Sequence, residues 1–140
     1  MAHTVEEVMT RNPKVVGRQC SLQEAAAAMR DCDIGDVLVC DGDRLVGIIT
    51  DRDIVIRAIA DGLPLTSTTV GEICSDKIVE LKPGDTIDDA VQLMRDCAVR
   101  RVPVCDHDGR VVGIVSLGDL AQAFDPRSAL AEISSAPSNG

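Results

Sequence analysis

Two short stretches of this chain of 140 residues carry the groups best suited to holding a ligand: Thr50-x-x-Asp53 and Ser116-x-x-Asp119. In each, a hydroxyl closes an apolar run and a carboxylate follows three residues later. The run reads as a strand, and the residues after it read as the first turn of a helix. The free N–H groups and positive dipole end of such a helix suit a phosphate. The hydroxyl can cap the helix or donate to a phosphate oxygen. Asp53 and Asp119 are acceptor-only carboxylates, suited to two hydrogen bonds from a ribose diol. Arg100 and Arg101 offer charge-assisted bonds to a phosphate, and Val102 with Pro103 offers an apolar slot for adenine. The same residues also have a simpler use, because Thr or Ser before a helix with Asp in its first turn is ordinary helix-start chemistry.

The two stretches are not equivalent. Gly35-Asp36-Val37-Leu38 stands where the other has Arg100-Arg101-Val102-Pro103. Asp36 repels a phosphate that Arg101 attracts, so the stretch at 116–119 is expected to be the stronger site. Arg52 either compensates in part or serves an intersubunit salt bridge, and the second use is favoured.

These stretches are matched because the chain is an internal repeat. Met29-Arg30-Asp31-Cys32 recurs as Met94-Arg95-Asp96-Cys97, 65 positions later. The same offset relates Val5 to Val70, Glu7 to Glu72, Ala25 to Ala90 and Cys40 to Cys105. One inserted residue near Gly109 shifts it by one, after which Val46-Gly47-Ile48-Ile49-Thr50 matches Val112-Gly113-Ile114-Val115-Ser116 and Asp53 matches Asp119. Thr4-x-x-Glu7 and Thr69-x-x-Glu72 are capping boxes that open a short helix in each copy. Brief strands are expected at 14–16 and 78–81. Longer helices then start at Ser21 and Thr86, with Leu22, Ala25, Ala26 and Met29 on one face and Ile87, Ala90, Val91 and Met94 on the other copy's.

Hairpins follow, with strands at 37–40 and 45–50 around Asp41-Gly42-Asp43, and at 102–105 and 110–116 around Asp106-His107-Asp108-Gly109. A closing helix is expected at 51–60 and at 117–124. Gly62 and Pro64 end the first and begin the linker 63–68. The boundaries are therefore 1–65 for the first repeat with its linker, 66–124 for the second, and 125–140 for a flexible C-terminal tail rich in Ser, Ala and Pro. One β-α-β-β-α unit has a sheet with an exposed apolar face, so two units are needed to cover each other.

Composition narrows the function. The charge of −9 lacks the clustered Lys and Arg that nucleic acid requires, and it disfavours an anionic membrane surface. No stretch approaches the roughly 20 apolar residues of a membrane span, and no signal-peptide core follows Met1-Ala2-His3-Thr4, so a cytoplasmic address is expected. With 45% apolar residues and Phe124 as the only aromatic, aliphatic side chains must fill the core. Cys20, Cys32, Cys40, Cys74, Cys97 and Cys105 form no Cys-x-x-Cys pair, and the repeat-matched placement of Cys32 with Cys97 and of Cys40 with Cys105 reads as packing rather than disulfide pairing. The aspartate turns at 41–43 and 106–109 lack the distal bidentate Glu of a calcium loop. His3 and His107 are too few for a convergent zinc set. No nucleophile–base arrangement has a credible spacing, so neither a catalytic residue nor a metal site is expected.

Val-Gly-Ile-Ile-Thr-x-x-Asp at 46–53, Val-Gly-Ile-Val-Ser-x-x-Asp at 112–119, Arg-Arg-Val-Pro-Val at 100–104 and Asn12-Pro13 resemble the CBS (cystathionine-β-synthase) domain family, over residues 4–124. The resemblance is to CBS pairs, or Bateman modules, and within them to stand-alone bacterial two-CBS proteins. It implies an α+β fold of two tandem β-α-β-β-α repeats packed sheet-to-sheet about a pseudo-two-fold axis. It also implies a regulatory module, active in a stress response, whose clefts between repeats bind AMP, ADP, ATP or S-adenosylmethionine. Association into a homodimer, head-to-head or head-to-tail, comes with the same resemblance. No cofactor is required on this reading, and an unidentified protein target is compatible with it. Two rivals remain open: a structural or interaction protein with vestigial clefts, and a thiol or metal stress sensor.

Overall fold

The structure is a computed structural model that describes residues 4–124, and the tail at 125–140 lies outside the described residues. In chain order the elements are α1 (Val5–Val8), β1 (Thr10–Arg11), β2 (Val15–Gly17), α2 (Leu22–Cys32), β3 (Asp36–Asp41), β4 (Arg44–Thr50) and α3 (Asp51–Asp53). The last runs directly into a π-helix (Ile54–Ile59). Then come α4 (Val70–Ile73), α5 (Ile87–Cys97), β5 (Arg101–Cys105), β6 (Val111–Ser116) and α6 (Leu117–Phe124). The strands form two three-stranded sheets, ordered β2-β3-β4 and β1-β6-β5. This is the mixed helix-and-strand, tandem-repeat architecture that the sequence implies. Among the described residues no helix is long and apolar enough to cross a membrane.

Helix starts follow the sequence signals closely. Ser21 Oγ accepts from Glu24 N at 3.1 Å. Thr86 Oγ1 accepts from Asp89 N at 3.1 Å while Asp89 Oδ2 accepts from Thr86 N at 3.0 Å. Leu22, Ala25 and Met29 of α2, and Ile87, Ala90 and Met94 of α5, are buried as the helical spacing requires. Ala26 is not: it is exposed, one position off the buried stripe. In one unit the α2 face packs with Val37, Val39, Ile49, Ile54 and Ala58. In the other, the α5 face packs with Val102, Val104, Val115 and Leu120. Each core is aliphatic, so it is held by branched side chains meeting at close range rather than by aromatic area.

The compact units differ from the repeat boundaries in one respect. Residues Lys14–Ile78 form one unit, whereas 4–13 join 79–124 to form the other. Each repeat's opening helix and the residues after it therefore complete the sheet built by the other repeat. Thr10 and Arg11 pair antiparallel with Ile114 and Gly113. At the matching place Ser75 bridges Ile48, with hydrogen bonds of 3.1 and 3.0 Å in the two directions.

The strand expected at 78–81 is reduced to a single parallel bridge, Leu81 to Val104. Its counterpart β2 pairs over three residues with Leu38, Val39 and Cys40, and Leu38 N donates to Lys14 O at 3.3 Å. The residue matching Leu38 is Pro103, which has no N–H to give, so this rung of the ladder cannot form. Leu81 keeps the middle two, from its N–H to Pro103 O and from Cys105 N to its own carbonyl, both 2.9 Å, and the rung that Arg18 N gives to Cys40 O is lost too, because Pro83 stands in the place of Arg18. The expected closing helix at 51–60 is likewise altered, because after Asp53 it widens into the π-helix, where Ala60 N reaches Val55 O.

The exchanged segments cross the final strands at glycine. A Cβ on Gly47 would lie 2.6 Å from Cys74 Sγ and 2.8 Å from Ser75 O, and one on Gly113 would lie 3.0 Å from Thr10 O. Because the obstructing atom at Gly47 includes backbone, Gly47→Ala is expected to destabilise the fold by about 1–3 kcal/mol. Gly84→Ala, where nothing lies within 4 Å, should leave stability nearly unchanged. Urea denaturation midpoints of the two variants check this, and equal midpoints would contradict the close approach.

Candidate functional site

Both candidate stretches sit where a final strand hands over to its helix, and both are built the same way. Thr50 N donates to Asp53 Oδ2 and Asp53 N donates to Thr50 Oγ1, each at 3.0 Å. Ser116 N donates to Asp119 Oδ2 at 2.9 Å and Asp119 N to Ser116 Oγ at 3.1 Å. The first helical N–H is taken by the strand opposite: Asp51 N by Gly35 O at 3.0 Å, and Leu117 N by Arg100 O at 2.8 Å. The hydroxyl–carboxylate pairs are thus capping boxes. Such a hydroxyl has its own proton left to donate, and the carboxylate has a second oxygen left to accept.

The differences lie in the surrounding side chains. In the first repeat the second helical N–H, on Arg52, is bonded by Asp51 Oδ1 at 2.8 Å. The second repeat has Leu117 in place of Asp51, and Leu117 brings no acceptor to Gly118. Asp53 Oδ1 lies 3.8 Å from Arg57 Nε, one helical turn on, and Arg57 Nη1 also donates to Ile73 O at 3.2 Å. Ala123 occupies the place of Arg57 after Asp119. Sequence reasoning overlooked Arg57, although its i,i+4 spacing from Asp53 was a usable signal. The strand register sets Asp36 across from Thr50 and Arg101 across from Ser116, so each junction has a charge of opposite sign beside its hydroxyl.

The expected site residues do not all converge. Arg101, Pro103 and Ser116 share one face of the sheet, alternating with Val102, Val104 and Val115 on the helix-covered face. The Val102 side chain is fully buried in that core and Pro103 is buried as well, so the two do not form the expected apolar slot. Arg100, next along, opens instead onto a groove of about 410 Å³ between α5 and α6, shared with Val91, Met94, Arg95, Ala98, Val99 and Leu117. The matching groove of the first repeat, about 430 Å³, lies between α2 and the π-helix. Arg52 borders a shallower depression with Asp51, Val55 and Ile56.

The remaining candidates are accounted for locally. Asp106 Oδ1 accepts from Asp108 N at 2.9 Å and from Arg110 N at 3.0 Å, which closes the turn. The Arg110 N–H is the main reason that this carboxyl sits below its ordinary pKa. Among the described residues, no group of three or more His, Cys, Asp or Glu is placed to hold a metal ion.

None of the six cysteines is in a disulfide. Cys40 and Cys105 are buried, and Cys20 and Cys74 are half-buried. Cys32 and Cys97 depart from the packing role expected of them, because the last turns of α2 and α5 leave both exposed. Burial raises the thiols of Cys20, Cys40 and Cys74, helped at Cys20 by Glu24, at Cys40 by Asp43 and at Cys74 by Asp76.

A family model for the CBS domain matches residues 5–59 and 70–125. Hypoxic response protein 1 of Mycobacterium tuberculosis is 40% identical over 120 residues, covering 85% of this chain and 83% of that one. A crystal structure of Hypoxic Response Protein I with two coordinated zinc ions superposes with a TM-score of 0.80 at 38% identity, over 86% of this chain and 98% of the other. The CBS domain pair of protein MJ0100, in complex with 5'-methylthioadenosine and S-adenosyl-L-methionine, gives a TM-score of 0.79 at 27% identity, over 91% and 100%. CBSX2 in complex with AMP gives 0.77 at 25% identity, over 87% and 96%.

The thiolate is the reactive form, so burial slows modification at the four inner cysteines, and the raised pKa of Cys20, Cys40 and Cys74 slows it further there. In the native protein at mildly alkaline pH, Cys32 and Cys97 should react with a thiol reagent first, and the rest should follow only on unfolding. Mass spectrometry of partially alkylated protein checks the order, and early labelling of Cys40 or Cys105 would contradict it.

Proposed function

Because the chain belongs to the CBS-domain family, we propose that it is a ligand-responsive regulatory module that binds an adenine nucleotide or S-adenosylmethionine and works by binding rather than by catalysis. The observation that carries this is the second-repeat junction. Ser116 and Asp119 hold each other in place, each with hydrogen-bonding capacity to spare, and Arg101 lies directly across the strand pair from Ser116. There the hydroxyl donates to a phosphate oxygen, Arg101 supplies the charge, and the outer oxygen of Asp119 accepts from a ribose diol. Solved relatives that hold AMP, or methylthioadenosine and S-adenosylmethionine, support this choice of ligand class.

The first-repeat junction is the weaker site. Asp36 stands across from Thr50, Asp51 fills the second helical N–H, and Asp53 shares its outer oxygen with Arg57. The chain as a whole is acidic, so attraction of an anion has to come from local arginines.

The asymmetry is tested best with asparagine. An Asn at 119 still accepts from Ser116 N and preserves the helix start, but it presents an amide where the diol needs an acceptor. Asp119→Asn is expected to remove about 1.5–3 kcal/mol of AMP binding, the scale of hydrogen bonds to a charged group, and Asp53→Asn clearly less. Titration calorimetry on both decides it, and equal losses would refute the assignment. A thermal-shift screen that stays flat with AMP, ADP, ATP and S-adenosylmethionine would refute the nucleotide reading and favour an interaction protein.

The same module is proposed to be a homodimer. The π-helix and the turn after it leave Val55 at 53%, Ile56 at 49%, Ile59 at 53% and Leu63 at 38% exposure. A contiguous apolar surface of this kind marks an association site. Light scattering should give twice the chain mass of 14.8 kDa; a species of the chain mass at micromolar concentration would refute it.

A further inference from the structure

We propose that the groove between α5 and α6 is a second binding site, for an amphiphilic carboxylate: an acceptor-only anion carried on an apolar body. Its residues are distinct from those of the Ser116–Asp119 junction, and it needs no nucleotide.

The groove encloses about 410 Å³, inside the range of about 300–1,000 Å³ typical of small-molecule sites. Its surface is aliphatic, with Val91 and Met94 from α5, Val99 from the residues before β5, and Leu117 from the start of α6. Met94 is buried and unbranched, so it adapts to the shape of what lies on it. Two guanidinium groups stand at this apolar surface, those of Arg95 and Arg100, and no carboxylate lines it among the described residues. Neither guanidinium has a hydrogen bond or ion pair among those residues. That is a departure in a chain with 23 acidic against 14 basic residues. Arg11, Arg18, Arg30 and Arg57 all lie within 3.8 Å of a carboxylate. The acid next to Arg95, Asp96, accepts from Gln92 at 2.8 Å instead.

Donors and acceptors narrow the ligand class. The two polar side chains of the groove can only donate. The backbone acceptors beside them are engaged: Met94 O takes the N–H groups of Ala98 and Val99, and Arg100 O takes that of Leu117. A ligand here must bring acceptors to the arginines and no donors to the rest. A carboxylate meets the first condition, in the bidentate geometry that guanidinium favours. An alkyl body meets the second on the aliphatic floor. A nucleotide fails it, because its ribose hydroxyls and base amine would find no acceptor among the lining side chains.

The matching groove of the first repeat is built the other way. Asp33 and Asp51 line it together with Arg30, and Arg30 Nε is held at 2.9 Å by Asp31. In the second repeat Ala98 replaces Asp33, Leu117 replaces Asp51 and Arg100 replaces Gly35. Each exchange removes negative charge or adds positive charge, and the change to Leu117 also adds apolar surface. The first groove should therefore reject the anion that the second accepts.

Octanoate is the probe, in a methyl-detected NMR titration of the full chain. It is compared with acetate, which has the headgroup alone, and with octylammonium, which has the same body and the opposite charge. Octanoate is expected to saturate one site per chain and to shift the methyl signals of Val91, Met94, Val99 and Leu117. Acetate and octylammonium should bind at least about tenfold more weakly, since each lacks one half of the recognition. Arg95→Gln, and Arg100→Gln, which keeps its carbonyl for Leu117 N, should each weaken octanoate at least about tenfold, the low end for a hydrogen bond between charged groups. Arg30→Gln in the first groove should leave the affinity unchanged, and far-UV circular dichroism verifies that each variant is folded. Octylammonium binding as tightly as octanoate would overturn the proposal, as would a double Arg95→Gln, Arg100→Gln variant that binds like wild type. Methyl shifts confined to the first groove, or no saturable binding at all, would do the same. AMP should not displace octanoate; displacement would merge this groove with the nucleotide junction and refute a separate site.

Discussion

The structure depends on backbone passing directly over the Cα of Gly47 and Gly113. Each glycine lies in the final strand of a sheet, and each is crossed by the residues that follow the opening helix of the other repeat. Any side chain would hold the crossing segment away and cost the sheet its last antiparallel rungs. With glycine there, neither repeat finishes its own sheet, so the two copies are bound into one folding problem. The capping boxes at Thr4 and Thr69 belong to the same device, because they turn the chain into the crossing segment within a single helical turn.

On this shared strand order the repeats differ in the π-helix of the first, in the strand reduced to one bridge in the second, and in the side chains around the junctions. The strand–helix junctions superimpose in their hydrogen bonds, down to the pairing of hydroxyl with carboxylate. What differs is the set of groups just outside: Asp36 against Arg101, Asp51 against Leu117, and Arg57 against Ala123. Each exchange leaves the fold intact and alters the electrostatics of a junction or groove. A duplicated scaffold can in this way carry two junctions of different charge without any change in topology.

The groups proposed to meet a ligand are also those that start the helix. A cap of this type is worth about 0.5–2 kcal/mol, so an occupant of the Ser116–Asp119 junction acts directly on the stability of α6. That link gives binding a mechanical consequence: a ligand that strengthens the cap orders the helix that forms one wall of the cationic groove.

Much of this was legible along the chain. The offset between repeats, the capping boxes, the hairpin turns and the burial stripes of α2 and α5 all depend on neighbours within a few residues, and local chemistry is enough to place them. The family motif identified the junctions for the same reason. Other features depended on partners distant in sequence. The shortening of 78–81 to one bridge follows from Pro103 and Pro83 each lacking an N–H, which matters only once that segment is known to lie beside β5. The exchange of opening segments between repeats left no periodic trace, because the same residues could close either sheet. The divergence of Arg100 from Arg101, and of Val102 from Pro103, was decided by the alternation of a strand whose one face is covered by helices. Sequence alone thus determined most of the elements and which residues are candidates for chemistry. Only the tertiary structure decided which of those residues share a face, because that depends on the sheet register and on what packs against each side.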